Sequence, residues 1–435
     1  MKKVSLISLG CDKNLVDSEN ILGLLDKSNY EITNSLEDSD IIVINTCGFI
    51  ADAKKESIDK ICECIELNKK IVVTGCLAQR YYNDLKASFA DVENLVIIPI
   101  KDYDKFNEIL STLDDELKDK SGVSDEYRLI STGDFSAYIK IGEGCSNNCS
   151  YCAIPLIRGK FASKPMDKIL KEAKELANKG YKELIVLEQD TTRYGIDLKN
   201  GENIVKLLTE LLKIKEFDYI RLLYLYPDEV TDDLINLIAK EPRLTPYFDI
   251  PIQHSEDKII KAMNRRGNKE YLRNLFKKIR EKVPNAILRT TIMVGFPGET
   301  KQDFENLKEL IKEVKFNHLG AFAYSKEEDT ASYNFPHQCR EKTKKARLEE
   351  IMKLQSSISF ENNQSFIDKT MEGLVIGKEM GGLYKMRSYF NAPGGVDGMV
   401  IFKSKKDHRL GEKVKIKITK ALTYDLIGEE VIDWY

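Results

Sequence analysis

The amino-acid sequence predicts an α/β protein, and three observations support this prediction. In the N-terminal third, short apolar strands alternate with helices, which is the pattern of a parallel sheet. In the central part the alternation occurs six times, fewer than the eight units of a closed barrel, which favours an open partial barrel. The last part is rich in strands and punctuated by glycines, which is typical of a small β-barrel.

The length of 435 residues suits two to four domains and allows a sizeable core. A charged stretch at 114–120, followed by Ser121-Gly122, is typical of a linker. Helical periodicity over 343–366 predicts a connecting helix. We therefore predict three domains, over residues 1–115, 131–362 and 366–435.

Composition limits the class of protein. The 67 basic residues nearly balance the 70 acidic ones, giving −3, so the chain as a whole is not an electrostatic binder of nucleic acid. Nine cysteines is an odd number, and their grouping favours metal binding in a reducing cytosol over a disulfide framework. No apolar run approaches the roughly 18 residues of a membrane span. We predict a cytoplasmic protein without a membrane partner.

Three cysteines of the N-terminal third each follow a predicted strand and stand beside a glycine: Cys11, Cys47 and Cys76. Because the carboxyl ends of parallel strands line one crevice, these thiols are predicted to converge. Buried structural cysteines are the plainer interpretation, since free cysteine packs as a small apolar group. The central motif described next favours instead an iron–sulfur cluster with one open iron. The other cysteines, Cys62, Cys64 and Cys339, are predicted to be packing or surface residues.

The central part begins with an alternating apolar strand that enters a glycine-flanked loop with the pattern C-x3-C-x2-C. Its cysteines are Cys145, Cys149 and Cys152. Thiolates select zinc or iron–sulfur centres, and structural zinc needs a fourth protein ligand, which the neighbouring sequence lacks. A ferredoxin loop or a zinc knuckle is the alternative. The spacing resembles the radical S-adenosylmethionine (SAM) superfamily, in which the open iron of a 4Fe-4S cluster binds the amino and carboxylate groups of SAM.

Further candidates follow the strands of the predicted partial barrel, where catalytic groups of such barrels lie. A carboxylate or amide after the second strand could hold the SAM amino group, and a buried arginine in the fifth could pair with a carboxylate. Gly-Phe-Pro-Gly at 295–298 is first of all a turn, and His254 is first of all a structural histidine. No residue is assigned a certain catalytic role. The candidate cofactor-binding residues are Glu188, Gln189, Arg193, Gln253, Arg289, Gly295 and Glu299.

The C-terminal part suits a five-stranded barrel, and alternation is clear over 413–419. It resembles the TRAM domain, an OB-like fold often used to bind RNA. From residue 368 onward, however, 12 basic residues face only 10 acidic ones, a weak charge for gripping RNA. We therefore expect docking to a folded protein loop through aromatic and basic anchors. The expected anchors are Arg387, Tyr389 and Phe390.

The ordered set of parts resembles the radical-SAM methylthiotransferases over essentially the whole chain. Four stretches are similar to the RimO branch, which modifies a ribosomal protein: 10–19, 189–195, 249–254 and 392–398. The tRNA-modifying branch usually carries Gln-Met-Asn after the first cysteine, where this chain has Asp-Lys-Asn. The sequence departs from the branch pattern at Gly394-Gly395, where a bulkier residue is expected.

The resemblance implies the chemistry. SAM bound at the Cys145, Cys149 and Cys152 cluster is cleaved to a 5′-deoxyadenosyl radical, which abstracts hydrogen from the β-carbon of an aspartate in small-subunit ribosomal protein twelve. A second 4Fe-4S cluster, at the other three cysteines, carries sulfur that a second SAM methylates, and the product is 3-methylthioaspartate. The implied partners are that ribosomal protein, a reductant such as flavodoxin or ferredoxin, and a sulfur donor.

Two alternatives remain at this stage. The first is a tRNA methylthiotransferase, with the same chemistry on an N6-isopentenyl or threonylcarbamoyl adenosine. Such an enzyme would show steeply salt-dependent tRNA binding. The second is a non-enzymatic iron–sulfur protein that docks RNA, which would need no SAM site and would not cleave SAM.

Overall fold

The computed structural model describes residues 1–133 and 135–431, and the chain forms two compact units. Each unit combines segments that are distant in the chain, so the units do not correspond to the three predicted domains. The boundaries of those domains remain a prediction. The first unit comprises residues 1–133, 138–172 and 325–333, and the second comprises residues 135–137, 173–324 and 334–431.

The predicted N-terminal α/β architecture is confirmed. A five-stranded sheet has the order β2-β1-β3-β4-β5, and all its neighbouring strands are parallel. The elements up to residue 163 are β1 (Lys3–Ser8), α1 (Asp12–Lys27), β2 (Glu31–Ile32), β3 (Ile41–Thr46), α2 (Ala51–Ile65), β4 (Lys70–Gly75), α3 (Cys76–Arg80), α4 (Tyr82–Ser88), β5 (Leu95–Pro99), α5 (Phe106–Leu110), β6 (Ser136–Lys140), β7 (Gly142–Glu143), α6 (Ile154–Arg158) and β8 (Ala162–Ser163).

Strand β3 explains why this sheet forms. All six of its residues are buried, as expected for a central strand of a parallel sheet covered on both faces. Alternate side chains point to opposite faces. Ile41 therefore packs in the cluster that contains Leu24 of α1, while Ile42 packs in the cluster that contains Ile61 of α2. The apolar run that marked this strand in the sequence thus serves two separate cores.

The second unit contains the predicted open arrangement of β/α repeats. Two three-stranded sheets have the orders β10-β9-β6 and β11-β12-β13, and a parallel bridge between Ile220 and Leu244 joins them. Only the first residues of β6 belong to this unit. The elements are α7 (Met166–Asn178), β9 (Glu183–Leu187), α8 (Ile204–Leu211), β10 (Tyr219–Leu222), α9 (Asp232–Lys240), β11 (Tyr247–Asp249), α10 (Asp257–Ala262), α11 (Lys269–Lys282), β12 (Ile287–Val294), α12 (Lys301–Val314), β13 (His318–Ala323) and α13 (Glu341–Gln364).

Side-chain caps fix where several of these helices begin. Asn203, Thr231 and Asn268 each accept a hydrogen bond from a backbone N–H in the first turn of the following helix. Thr300 and Asp303 form a reciprocal capping box at the start of α12. Each such cap stabilises a helix by about 1 kcal/mol and sets the length of the loop before it. The loops at the carboxyl ends of β9 and β12 are thereby held at defined lengths.

The C-terminal part is a closed five-stranded barrel, as predicted. Its strands are β14 (Thr370–Glu379), β15 (Leu383–Ser388), β16 (Val400–Lys403), β17 (Lys413–Ala421) and β18 (Leu426–Glu430), in the order β14-β15-β16-β18-β17. Strand β17 buries alternate residues, Val414, Ile416 and Ile418, and exposes the lysines between them. Closure leaves no free strand edge to pair with another chain.

The closed barrel contacts the central strands near their amino ends. The carboxylate of Glu183, the first residue of β9, accepts a 2.6 Å hydrogen bond from Arg387. His318, the first residue of β13, contacts the carbonyl oxygen of Phe390 at 2.7 Å. Arg387 and Phe390 are both buried, so the expectation that they are exposed docking anchors is wrong. They serve the packing of the second unit instead.

Within the described residues, no helix has both the length and the apolar composition that crossing a bilayer requires.

Candidate functional site

The first cysteine triad lies at the carboxyl edge of the N-terminal sheet. Cys11, Cys47 and Cys76 directly follow β1, β3 and β4, which are neighbours in that sheet. A Cβ atom built on Gly10 would lie only 3.0 Å from the Cβ and 3.1 Å from the Sγ of Cys47. Glycine at this position, with φ of +98°, therefore lets the loop that carries Cys11 close onto Cys47.

The three thiols influence one another electrostatically. Burial raises the pKa of Cys76 to about 11; the charges of Cys11 and Cys47 add to this rise, and the guanidinium of Arg158 opposes it. Burial also raises the pKa of Cys47, and Cys11 contributes in the same direction. The thiols of Cys47 and Cys76 therefore stay protonated in the free protein, and deprotonating them together becomes favourable only when a positively charged centre such as iron is bound.

The second triad lies in the loop between β7 and α6, and its backbone is held at both ends. The N–H of Cys145 donates to the carbonyl of Gly159 at 3.1 Å, and the N–H of Cys152 donates to the carbonyl of Cys149 at 3.0 Å. All three cysteines of this loop are partly exposed. Among the described residues, no three His, Cys, Asp or Glu side chains lie close enough together to hold a single metal ion. Thiolate sulfur is the ligand that iron–sulfur clusters use, so the chemistry of both triads fits such a cluster.

The two triads are neighbours in the first unit. Ala153, which directly follows Cys152, packs with Ile157 against the buried Cys76. The second triad is thereby anchored next to the first by apolar contact. No spacing in the sequence indicated this adjacency, because the two motifs are separated by more than a complete β/α repeat.

Arg158 is a further residue of this site, and it had no recognisable signal in the sequence. Its Nη2 donates to Asn14 Oδ1 at 2.6 Å and lies 3.5 Å from the Sγ of Cys76. Its Nη1 forms ion pairs with Asp17 at 2.8 Å and with Glu143 at 3.2 Å. Burial alone would raise the pKa of Glu143, but the charges of Lys140 and Arg158 lower it to about 2.

Residues 325–333 form a polar segment that contacts both cysteine-bearing parts of the first unit. Glu327 forms ion pairs with Arg80, the last residue of α3, and with Lys54, both at 3.0 Å. The N–H of Ser332 donates to the carbonyl of Ser150 at 2.8 Å, within the second cysteine loop. Segment 325–333 is thus tied both to the helix that begins at Cys76 and to the loop that carries Cys149.

Two of the predicted cofactor-binding residues follow β9 directly. Glu188 is completely buried, and its Oε1 accepts a hydrogen bond from the N–H of Gln189 at 2.9 Å. The side-chain amide of Gln189 has buried nitrogen and oxygen atoms that lack a hydrogen-bond partner within the described residues. A buried amide in this state fits a polar ligand that would satisfy it. Arg193 lies in the short turn that follows, over Thr191–Arg193.

Gln253 lies beyond the end of β11, where its backbone pairs with β12. Its N–H donates to Thr291 at 2.8 Å, and its carbonyl accepts from Met293 at 2.7 Å. It has a φ of +67°, which is rarely adopted by residues other than glycine and asparagine. Such local strain is typical of ligand sites. The structure thus brings Gln253 to the carboxyl end of the barrel strands.

Gly295 and Glu299 belong to one closed turn after β12. The Glu299 carboxylate accepts hydrogen bonds from the N–H groups of Gly295 and Phe296, and it forms a 2.8 Å ion pair with Arg347. His254 Nε2 lies 4.0 Å from the same carboxylate. Glu299 therefore braces its own loop.

Arg289 is placed differently from the other candidates. It is the third residue of the eight-residue strand β12, near the amino end. Its guanidinium pairs with Asp249 at 2.8 Å and with Asp397 at 3.2 Å. The expectation that Arg289 is free to pair with a cofactor carboxylate is therefore wrong, because two acidic residues of the protein already neutralise it.

Comparison with protein families matches three segments of the chain. Residues 3–97 match the uncharacterized protein family UPF0004, residues 139–311 match the radical SAM superfamily, and residues 367–431 match the TRAM domain. The matched segments occur in the order that the sequence predicted.

Among solved structures, the radical SAM methyltransferase TsrM from Kitasatospora setae is similar with a TM-score of 0.55 and 13% identity, covering 74% of this chain and 73% of that one. The cobalamin-dependent SAM radical enzyme OxsB is similar with a TM-score of 0.53 and 12% identity, covering 82% of this chain and 58% of that one. Likeness at this level of identity concerns the fold, and it confirms the predicted radical-SAM architecture.

Similarity in sequence extends over nearly the whole chain. The ribosomal protein uS12 methylthiotransferase RimO of Clostridioides difficile (strain 630) is 45% identical, covering 99% of both chains. The enzyme of the same name from Alkaliphilus oremlandii (strain OhILAs) is 44% identical, covering 98% of both. The one from Caldicellulosiruptor saccharolyticus is 45% identical, covering 99% of this chain and 100% of that one. This chain therefore belongs to the RimO family of radical SAM methylthiotransferases.

Proposed function

We propose that this chain transfers a methylthio group to the β-carbon of an aspartate in ribosomal protein uS12, consuming two SAM molecules and a sulfur donor. The observation that carries this proposal is the contact of Ala153 with Cys76, which joins two cysteine triads in one unit. One triad suffices for SAM cleavage. A second triad beside it provides a place for the sulfur that the reaction must deliver.

The six cysteines divide between two 4Fe-4S clusters. In this proposal, Cys145, Cys149 and Cys152 hold the cluster that binds SAM, and Cys11, Cys47 and Cys76 hold the auxiliary cluster. When bound, the clusters and SAM supply the radical and sulfur-transfer chemistry. The contribution of the chain is to bury Cys76, to leave Cys11 exposed, and to hold the loop that carries Cys145, Cys149 and Cys152 by backbone hydrogen bonds.

The carboxyl ends of the barrel strands are proposed to bind SAM. Of the six residues proposed, Gln189 offers an amide that lacks a partner within the described part of the chain, and Gln253 offers a side chain on a strained backbone. Glu299 acts indirectly, by holding the turn at Gly295 through two backbone hydrogen bonds. The proposed SAM-binding residues are Glu188, Gln189, Arg193, Gln253, Gly295 and Glu299.

The remaining assignments belong to the same proposal. The cluster domain is residues 1–115, the radical-SAM domain is residues 131–362 and the TRAM domain is residues 366–435. The reaction takes place in the cytoplasm, where thiols stay reduced. A flavodoxin or ferredoxin supplies the electrons, because cluster reduction requires a donor of low potential.

The test is a competition under anaerobic conditions. The reconstituted protein is given SAM, sulfide and a chemical reductant, together with small ribosomal subunits and bulk tRNA, and methylthio groups are located by mass spectrometry. We expect the label on one aspartate of uS12. Label found only on tRNA adenosine would favour the tRNA-modifying alternative. Absence of SAM cleavage would favour the non-enzymatic alternative and contradict the proposal.

A further inference from the structure

Arg158 is buried beside the proposed auxiliary cluster, although it belongs to the helix that follows the other cysteine loop. Its side chain is only 1% exposed. Helix α6 ends at Arg158, six residues after Cys152. Its Nη2 lies 3.5 Å from the Sγ of Cys76 and also donates to Asn14. One residue thus extends from one cysteine motif to a proposed ligand of the other.

The guanidinium is held in a fixed direction. Asp17 Oδ2 lies 2.8 Å from Nη1, and Glu143 contacts the same nitrogen at 3.2 Å. Lys140 binds both of these carboxylates at 2.6 Å. Two cations and two anions therefore form a neutral set. Within this set it is Arg158 that contacts the cysteine sulfur, so the cluster would face a positive charge.

A hydrogen-bond donor and a positive charge at a cysteine sulfur have a specific consequence for a cluster. The reduction potential of an iron–sulfur cluster depends on net charge and on hydrogen bonds to its sulfurs. A buried cation stabilises the form that carries one more electron, because charges interact more strongly away from water. The same cation favours the binding of an anionic ligand such as sulfide.

We propose that Arg158 is a positioning residue for the auxiliary cluster, donating to the sulfur of Cys76 and supporting both cluster reduction and the binding of sulfide. This inference rests on the proposed function in one respect, namely that the first triad holds a 4Fe-4S cluster. Asp17, Asn14 and Glu143 contribute by fixing the direction of the guanidinium. The group that Arg158 serves is thus a cluster with a bound anionic sulfur species.

The test measures the auxiliary cluster alone. In the full chain carrying Cys145→Ala, Cys149→Ala and Cys152→Ala, the remaining cluster is titrated with reductant and followed by electron paramagnetic resonance. Iron content and sulfide binding are measured on the same samples. Arg158→Met should shift the potential to a more negative value and weaken metal binding about 10- to 100-fold. Arg158→Lys should restore much of the potential, since it keeps the charge but loses the planar fork.

Two further variants separate this role from simple stability. Arg158→Met combined with Asp17→Asn removes a cation and an anion together, so no uncompensated charge stays buried. It should fold and still show the more negative potential. Arg128 is the matched control: it is buried in the same unit and pairs with Glu19, while its contacts lie away from the cysteines. Arg128→Met should lower stability and leave the potential unchanged.

The outcomes are distinct. If the protein with an intact first triad binds no cluster at all, the proposed function fails. If it binds a cluster whose potential and sulfide affinity are the same with Arg158, lysine or methionine, only the role of Arg158 is overturned. An equal shift in the Arg128→Met control would overturn it as well, because the effect would then be structural.

Discussion

The guanidinium of Arg387 lies 2.6 Å from the carboxylate of Glu183, and both side chains are buried. Arg221 contacts the other oxygen of that carboxylate at 2.9 Å and also donates to the carbonyl of Ser388 at 2.7 Å. Glu183 therefore joins the first residue of a central strand to the closed barrel through two arginines. The basic residue that looked like a substrate anchor in the sequence is part of a buried ion-pair network.

We expect Arg387→Met to destabilise the protein by about 3 kcal/mol, because it leaves Glu183 buried with one cation fewer. The value lies at the low end for a broken buried pair because Arg221 stays in place. The measurement is urea unfolding followed by circular dichroism. Lys385→Met is the control: its ion pair with Glu379 is exposed, and its loss should change stability by less than about 1 kcal/mol. Equal stability of the two variants would contradict the prediction.

Iron content should divide between the two triads. Anaerobic reconstitution of the unmodified chain should give about eight irons. Replacing Cys11, Cys47 and Cys76 by alanine should leave about half, and replacing the other triad should leave the other half. Cys62→Ala serves as the control and should retain all the iron, since Cys62 is exposed on α2. Full iron in either triple variant would show that the ligand assignment is wrong.

Cleavage of SAM should survive loss of the auxiliary cluster. All the residues proposed to contact SAM lie after β9, outside the N-terminal sheet. The triple alanine variant of Cys11, Cys47 and Cys76 should therefore still produce 5′-deoxyadenosine with a reductant, while it yields no methylthio product. Both products are measured by mass spectrometry. Methylthiolation in that variant would refute the assignment of SAM cleavage to one triad and of sulfur delivery to the other.

Gly10 should be needed for the auxiliary cluster. In Gly10→Ala the new methyl group would press on Cys47 at about 3 Å, in a backbone conformation that L side chains rarely adopt. We expect loss of roughly half of the iron. Gly180→Ala carries a similar backbone strain, with φ of +93°, but its Cβ would meet nothing within 4 Å, so its iron content should be unchanged. Equal iron in the two variants would mean that Cys47 tolerates displacement.

His254 should make the protein sensitive to mild acid. Burial lowers the pKa of His254 to about 3 from its ordinary value of 6.5. The unfolded chain therefore takes up a proton below about pH 6.5 and the folded chain does not, so stability is full above that pH and falls as the pH drops toward 3. The loss is about 1.4 kcal/mol for each pH unit, or roughly 2 kcal/mol between pH 6.5 and pH 5.

The variant His254→Asn should be less stable at neutral pH but should lose less stability on acidification. Asparagine offers an oxygen in place of Nδ1, which accepts a hydrogen bond from the N–H of Glu256 at 3.1 Å. Urea unfolding is compared between about pH 7 and about pH 5. Burial raises the pKa of the neighbouring Glu299 to about 7, so that carboxyl also titrates in this range and the effect of His254 is measured as the difference between the variant and the unmodified protein, which share it. His337→Asn, at an exposed position, is the control and should follow the unmodified protein. Parallel pH curves for all three proteins would contradict the assignment.

The parts of the site that follow from local pattern were predictable from the sequence. An apolar run such as β3 identifies a buried parallel strand, and a cysteine after it must lie at the carboxyl edge. The same rule correctly brought Gln189 and Gln253 to strand ends. The rule does not apply to Arg289, because this residue lies inside a strand. It is the third residue of β12, so its side chain is near the amino end of the strand and not near the carboxyl end.

Ion pairs between distant parts of the chain were not predictable. Arg289 pairs with Asp397, Arg387 pairs with Glu183, and Arg158 pairs with Asp17, and more than 100 residues separate the partners in each case. A charged residue in a sequence gives no indication of its partner, since burial and neutralisation depend on the tertiary packing. For this reason the sequence suggests ligand-binding roles for Arg289 and Arg387, which are paired within the protein, and gives no sign of Arg158, which contacts a proposed ligand cysteine.

The closed barrel and the proposed SAM-binding residue Gln189 lie at opposite ends of the same strand, β9. The barrel contacts residues such as Glu183 at the start of β9, whereas Gln189 follows the end of that strand. Five residues of β-strand span about 16 Å. A molecule that contacted both the barrel and Gln189 would therefore have to span that distance, which gives a lower limit on the size of any substrate that uses both.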